Sequence, residues 1–417
     1  MTDVALAPDP AAASGAQSDL AAAAAVIQLA GDVVAGGVRH LTASGGPDVH
    51  QVLAYDLAHA AAQVETARAL LDYGAKGGAE ANLTCAFAAD MVHDLITRLS
   101  GREALWGSDV APMKHAHDFL ARFRAPEFVA SLALLPGPRH LDDEMEMVAS
   151  AFRGFAEKEI KPHAEHVHRH NADVPEEIVH GLAEMGAFGL SVPAEYGGFS
   201  EGGDSEYISM VVATEELSRC SLGIGGSLIT RPEILTRALV KGGTEAQKLE
   251  WLPKLASAEV MPAVAVTEPD YGSDVANIKV AATSAPGPGG EAGYCITGVK
   301  TWCTFGARAD VLALLARTDP DTTKTYRGLS LFIVPKPRSA GHGFQFEQHA
   351  RPDGATGKME GRAIDTIGYR GMHSYEIALD NWWVPWAWWR MQRCPPAARR
   401  WASSRSSWSV RKLLTWR

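Results

Sequence analysis

Residues 266–274, Val266-Thr267-Glu268-Pro269-Asp270-Tyr271-Gly272-Ser273-Asp274, crowd hydroxyls, acids and a glycine into one turn at the end of an apolar run. A turn of this composition can aim backbone N–H groups and hydroxyls at a polar ring edge or a phosphate. The competing structural reading is a capped turn, with Ser273 or Asp274 as the N-cap. Further along, Gly298-Val299-Lys300-Thr301-Trp302-Cys303-Thr304 reads as a strand in which Trp302 and Thr304 alternate and so share a face. An indole and a hydroxyl on one face suit a planar cofactor, giving a wall for the ring and a hydrogen bond to a heteroatom. A lone strand Trp is more often a half-buried packing residue. The two segments together favour the cofactor.

Other reactive residues read as structural. His163, His166, His168 and His170 follow Lys161-Pro162 without acidic partners, which suits a solvated helix end better than a metal, so no metal ligand set is expected. Gly289-Gly290 lacks the strand-turn-helix frame of a dinucleotide fingerprint. Asp142-Asp143-Glu144 reads as an acidic helix start favoured by the helix dipole. The cysteines at 85, 220, 295, 303 and 394 form no Cys-x-x-Cys pair, which points to a reducing cytoplasm.

The elements that must position these residues fall into blocks. Residues 1–19, rich in Ala, Pro, Ser and Asp, read as a mobile leader. Residues 20–135 read as a helical extension. Leu53, Leu57, Ala60, Val64, Ala67 and Leu71 form one apolar stripe, Leu83, Phe87, Met91, Leu95 and Leu99 a second, and Met113–Phe128 a fourth helix. The Ala-rich stretch from Ala21 to Val38 is interrupted by Gln28, Asp32 and glycines, so it reads as a packing helix and not a membrane span. Pro136-Gly137-Pro138 marks a linker. Residues 140–260 carry further helices, near 142–168, 175–186, 204–219 and 232–240. Residues 261–385 carry short β-like runs at 263–266, 294–296, 311–316, 329–334 and 376–379, with a surface hairpin over 285–293.

Three anchors together resemble the acyl-CoA dehydrogenase family over residues 140–385. They are Thr267-Glu268-Pro269 with Gly272-Ser273-Asp274, the Lys300-x-Trp302-x-Thr304 strand, and Gly368-x-Arg370-Gly371 running into Val384-Pro385. Tyr271 and Asn277 stand where the family has small residues. The resemblance implies an α+β fold: a helical domain and a middle β-barrel or sandwich domain, here with an extra N-terminal helical bundle and without the family's C-terminal four-helix bundle. It implies FAD as cofactor, lined by Val264, Val266, Thr267, Gly272 and Ser273, with Thr267 at the pyrimidine edge. Ser273 would also meet the phosphopantetheine arm of an acyl-CoA substrate. Trp302 would flank the flavin and Thr304 would hydrogen-bond near N5.

The family's reaction removes the thioester α-proton with a glutamate base while the β-hydride passes to the flavin, giving a trans-enoyl-CoA. The resemblance places that base in the C-terminal bundle, beyond Pro385, and so supplies no catalytic residue here. The bundle also closes the acyl pocket and builds the family's homo-oligomer, so an impaired chain is expected and assembly is not. Electron-transfer flavoprotein is the expected electron acceptor. The helical extension with Gly361–Ser374 resembles the methylsuccinyl-CoA dehydrogenase branch. Tyr55–Arg68 and Phe87–Trp106 resemble helices of the family's own C-terminal bundle, although the Gly-Gly that family members set against FAD is absent at Leu105-Trp106-Gly107. The alternatives are a non-catalytic FAD- or acyl-CoA-binding remnant, or another flavoprotein on the same scaffold.

Composition agrees with a small-molecule enzyme. The net charge of −10 includes eight cations and no acids from residues 386–417, so residues 1–385 are more acidic still, which argues against nucleic acid as a partner. Residues 386–417 hold six of the 11 Trp and seven Arg without a sustained period. This tail reads as a shifted reading frame of a GC-rich gene, the alternative being a genuine basic aromatic tail for a membrane or nucleic acid.

Overall fold

The computed structural model describes residues 10–134 and 137–385, and the tail read above lies outside them. The chain divides into two compact units between His140 and Leu141.

The first unit is helical: α1 (Pro10–Ala43), α2 (Gln51–Gly74), α3 (Gly78–Leu99), α4 (Glu103–Trp106), α5 (His117–Phe123) and α6 (Pro126–Leu132). Helix α1 begins inside the stretch read as a mobile leader, as its Ala-rich composition favours. The α2 stripe is buried at Leu53, Leu57, Ala60, Val64 and Ala67. Small residues dominate the buried face of α3, at Ala81, Thr84, Cys85, Ala88 and Ala89, while Leu83 and Phe87 of the expected stripe are only half-buried. Gly37 lets α2 approach α1, since a Cβ there would meet Leu57 Cδ2 at 2.6 Å. The expected fourth helix is split at Ala125, because the residue before a proline is driven out of the α region and Pro126 then opens a new helix. Among the described residues, the α1 stretch Asp19–Ala43 alone is long and apolar enough to cross a membrane, by length and composition, despite the interruptions read as excluding a span. Its Ala23, Val26, Ile27, Ala30 and Val33 belong to the core of this helical unit.

The second unit opens with α7 (Asp143–Phe155), α8 (Lys161–His170), α9 (Glu176–Glu184), α10 (Asp204–Cys220), α11 (Ser227–Gly242) and α12 (Glu245–Ala256). Asp142 caps α7, accepting from Met145 N at 2.8 Å. A π-turn over Ala156–Ile160 separates α7 from α8, and Pro162 sits in the first turn of α8. Helix α12 carries Pro253, which hides it from a sequence reading, but a capping box between Thr244 and Gln247 starts it firmly.

The strands β1 (Pro262–Ala265), β2 (Ala281–Pro286), β3 (Ala292–Thr304), β4 (Val311–Arg317), β5 (Leu329–Pro335), β6 (Gly343–Glu347), β7 (Lys358–Ile364) and β8 (Ser374–Pro385) form one mixed sheet. Its order is β1-β4-β2-β3-β8-β7-β6, with β5 on β4. β1 runs parallel to β4, setting Ala263 opposite Leu312 and Ala265 opposite Leu314. β2 and β3 form the hairpin expected over 285–293, with Ala285 opposite Gly293. One core face joins Ala265, Leu314, Phe332, Ile296, Ile377 and Leu379. A second cluster joins the helices to the sheet through Ile160, Ile178, Ile224, Phe305 and Met372.

Candidate functional site

β1 ends at Ala265, and the next residues are tied down by an internal ion pair. Lys300 is fully buried and Glu268 is 4% exposed. Lys300 Nζ donates to Glu268 Oε1 and to Val266 O, both at 2.9 Å. The Glu268 carboxylate also accepts from Lys279 N at 2.6 Å and Val280 N at 2.9 Å. Burial pushes the Lys300 ammonium below its ordinary range, and Glu268 opposes that shift. Thr301 N donates to Thr267 O at 2.9 Å. The turn from Glu268 to Tyr271 is closed by two backbone bonds, of 3.0 and 3.1 Å. Two charges and their hydrogen bonds thus hold the 266–274 turn against β3. The residue types of Glu268 and Lys300 alone assign the pair no role. A lysine inside an otherwise apolar strand was the available signal.

What the clamp leaves outward is polar and open. Gly272, Ser273 and Asp274 are exposed, and Val264, Val266 and Thr267 are half-buried. A Cβ on Gly272 would meet nothing within 4 Å. The N–H groups of Gly272 and Ser273 have no intrachain acceptor among the described residues. The capped-turn reading fails at Asp274, which precedes the short 3-10 turn Val275–Asn277 but accepts no backbone N–H with its side chain; it accepts from Asn277 Nδ2 at 2.8 Å instead. Tyr271, the departure from small residues noted above, lies under the Lys279 ammonium at 5.6 Å.

Trp302 and Thr304 differ from the regular alternation expected of them. β3 pairs Lys300 with Ile377 but Cys303 with Tyr375, so one extra residue is inserted and β3 bulges there. Trp302 takes a left-handed φ of 58° and is 55% exposed, whereas Thr304 is 7% exposed. The bulge therefore turns the indole outward from a strand whose neighbours are buried. Thr304 Oγ1 pairs with Ser374 Oγ at 3.1 Å. Ser374 is a contact that strand alternation within β3 did not signal.

The third anchor is architectural. Arg370 Nη1 donates to His168 O, at the end of α8, at 2.6 Å, and its Nε and Nη2 reach Thr366 O. Gly371 has φ 107°, and a Cβ there would meet Ile224 Cγ2 at 2.3 Å. Across from it, a Cβ on Gly223 would meet Arg370 O at 2.2 Å. Phe305 N donates to His373 O at 2.8 Å, fastening this segment to the end of β3.

An exposed indole, free N–H groups on a glycine turn and two threonine hydroxyls form a donor set that fits a flavin dinucleotide: a π-face, an anion cradle and ring-edge partners. The family model described as acyl-CoA dehydrogenase, N-terminal domain, matches residues 142–259, and that of the middle domain matches residues 263–382. The (2S)-methylsuccinyl-CoA dehydrogenase of Cereibacter sphaeroides is 46% identical over 248 residues, 60% of this chain and 42% of that protein. The mitochondrial isovaleryl-CoA dehydrogenase of Solanum tuberosum is 34% identical over 264 residues, 62% of this chain and 56% of that protein. The chain thus spans about half the length of the curated relatives it matches. Butyryl-CoA dehydrogenase from Megasphaera elsdenii shares the fold, with a TM-score of 0.51 at 24% identity, covering 62% of this chain and 61% of that one. The two matched domains together take up more than half of the sequence and carry the Thr267–Asp274, Lys300–Thr304 and Gly368–Gly371 segments, and by them the chain belongs to the acyl-CoA dehydrogenase family.

Proposed function

We propose that this chain binds FAD at the Trp302 face and takes part in α,β-dehydrogenation of a short or branched acyl-CoA, with methylsuccinyl-CoA as the first candidate. The outward indole at the β3 bulge, beside the clamped 266–274 turn, is the observation that carries the reading. Bound FAD supplies the acceptor for the two electrons released when the C–H bonds break. Trp302 forms a wall for the ring, and the N–H groups of Gly272 and Ser273 receive phosphate or thioester-arm oxygens. Thr267 and Thr304 offer hydroxyls to the ring edge, while Val264 and Val266 give an apolar floor. Ser374 can donate to Thr304 Oγ1, which frees the Thr304 proton for the ring.

The α-proton needs a base. The resemblance places the family's base beyond Pro385, and no described residue is proposed for that role. Electron-transfer flavoprotein is the proposed acceptor and the cytoplasm the proposed compartment, the latter resting on cysteine spacing alone.

The 46% identity with the methylsuccinyl-CoA enzyme favours that thioester over isovaleryl-CoA. Anaerobic titration of the FAD-loaded chain with methylsuccinyl-, isovaleryl- and butyryl-CoA tests this. Loss of the flavin absorbance with methylsuccinyl-CoA at the lowest concentration supports the reading. Bleaching led by isovaleryl-CoA or butyryl-CoA overturns the substrate. Bound flavin that no thioester bleaches leaves a cofactor-binding chain without turnover.

A further inference from the structure

His373, one residue before Ser374, is held at φ 46° and is 4% exposed. Its Nε2 lies 3.2 Å from Asp173 Oδ1, yet it makes no hydrogen bond and is shut off from solvent. That buried imidazole nitrogen is held only by an ion-pair contact outside hydrogen-bond geometry, which leaves its bonding capacity unfilled, and folded proteins rarely do so. The His342 ring meets His373 edge-on at 4.4 Å between centroids. One ligand atom from each of Asp173, His342 and His373 falls within 4.8 Å of the others.

We infer that Asp173, His342 and His373 form a binding site for a transition-metal cation of the Zn2+ class. In a tetrahedral site with bonds of about 2.0–2.1 Å, neighbouring ligand atoms stand roughly 3.3 Å apart, close to the Asp173–His373 separation. Two imidazoles and one carboxylate suit Zn2+, Co2+ or Ni2+ rather than Mg2+ or Ca2+. The carboxylate is already oriented from behind: Asp173 Oδ2 accepts from Gly341 N at 2.8 Å, and Tyr375 Oη fixes the same glycine through its carbonyl at 2.7 Å. Asp173 and His342 are exposed, which gives the ion an entry path, and a fourth position is left for water.

The three ligands come from the loop after α8, the turn before β6 and the segment before β8. No local spacing signals the site. A bound cation would clip these three segments together and fix His373, and with it the adjacent Ser374 that meets Thr304. It is a positioning site, separate from the chemistry proposed above.

The test uses the full chain, stripped with chelator and titrated with Zn2+ and with Co2+. The expected result is one tightly held equivalent, visible Co2+ bands of low-symmetry coordination, and a rise in unfolding temperature with Zn2+. His342→Ala, on an exposed turn, should weaken binding at least tenfold and abolish the thermal shift, and Asp173→Asn should do the same. His166 and His170, whose ring centroids lie 4.6 Å apart on α8, are the competing site. Their double alanine variant should bind as wild type. Absence of binding at about 100 µM metal, far above what a zinc site of this kind requires, overturns the proposal. So does binding that survives His342→Ala and Asp173→Asn.

Discussion

Glu268 and Lys300 are taken out of water together, and their pairing with the Lys279, Val280 and Val266 backbone groups offsets that desolvation. Removing one partner strands the other, so Glu268→Ala should cost about 3–5 kcal/mol in chemical denaturation, and Lys300→Met in that background should recover part of the loss. Single substitutions that each cost under about 1 kcal/mol would show that the pair clamps nothing. Lys336 makes a pH-dependent contribution. It is 7% exposed, its Nζ donates to Ala307 O and Pro337 O, and burial lowers its pKa to about 8. Its unfolded value is near 10.5. Between those two values the Lys336 side chain binds more protons in the unfolded chain than in the native one, so its own contribution to stability rises with pH through that window, by at most about 3 kcal/mol. Wild type should therefore gain on Lys336→Met between about pH 7 and pH 10. A constant difference across that range would contradict the assignment.

Elements differ in how much of themselves they print in the sequence. The α2 stripe was legible because its buried residues recur at the helical period, and β4 and β5 because each is a short, nearly continuous apolar run. β7 was not, since Met359 and Gly361 alternate with Lys358, Glu360 and Arg362 and no apolar run results. The residues of the 266–274 turn and of Trp302 were legible from their types. Their arrangement was not, because an inserted residue at the β3 bulge leaves no mark on an alternating pattern and yet decides that Trp302 faces out while Thr304 is buried. The contact between Gly371 and the π-turn Leu222–Gly226 is likewise tertiary. Gly371→Ala combines a left-handed φ with a clash on Ile224, so it should destabilise by about 2 kcal/mol or more. A thermal melt unchanged by that substitution would mean that the segment does not need its close approach.

The whole molecule has two units with separate cores, and both family domains lie in the second. That unit carries the residues proposed to hold the cofactor, which lie in short contiguous strings and were therefore readable. Substrate choice was not readable, because no short contiguous string fixes it. The central claim is that FAD sits against Trp302, and the most direct measurement is a titration of the full chain with FAD, read by quenching of flavin fluorescence, for wild type and Trp302→Ala. Saturable quenching by wild type, with Trp302→Ala at least tenfold weaker, about 1.4 kcal/mol, is the predicted result. Flavin that stays free with wild type, or binds both chains equally, would contradict the account.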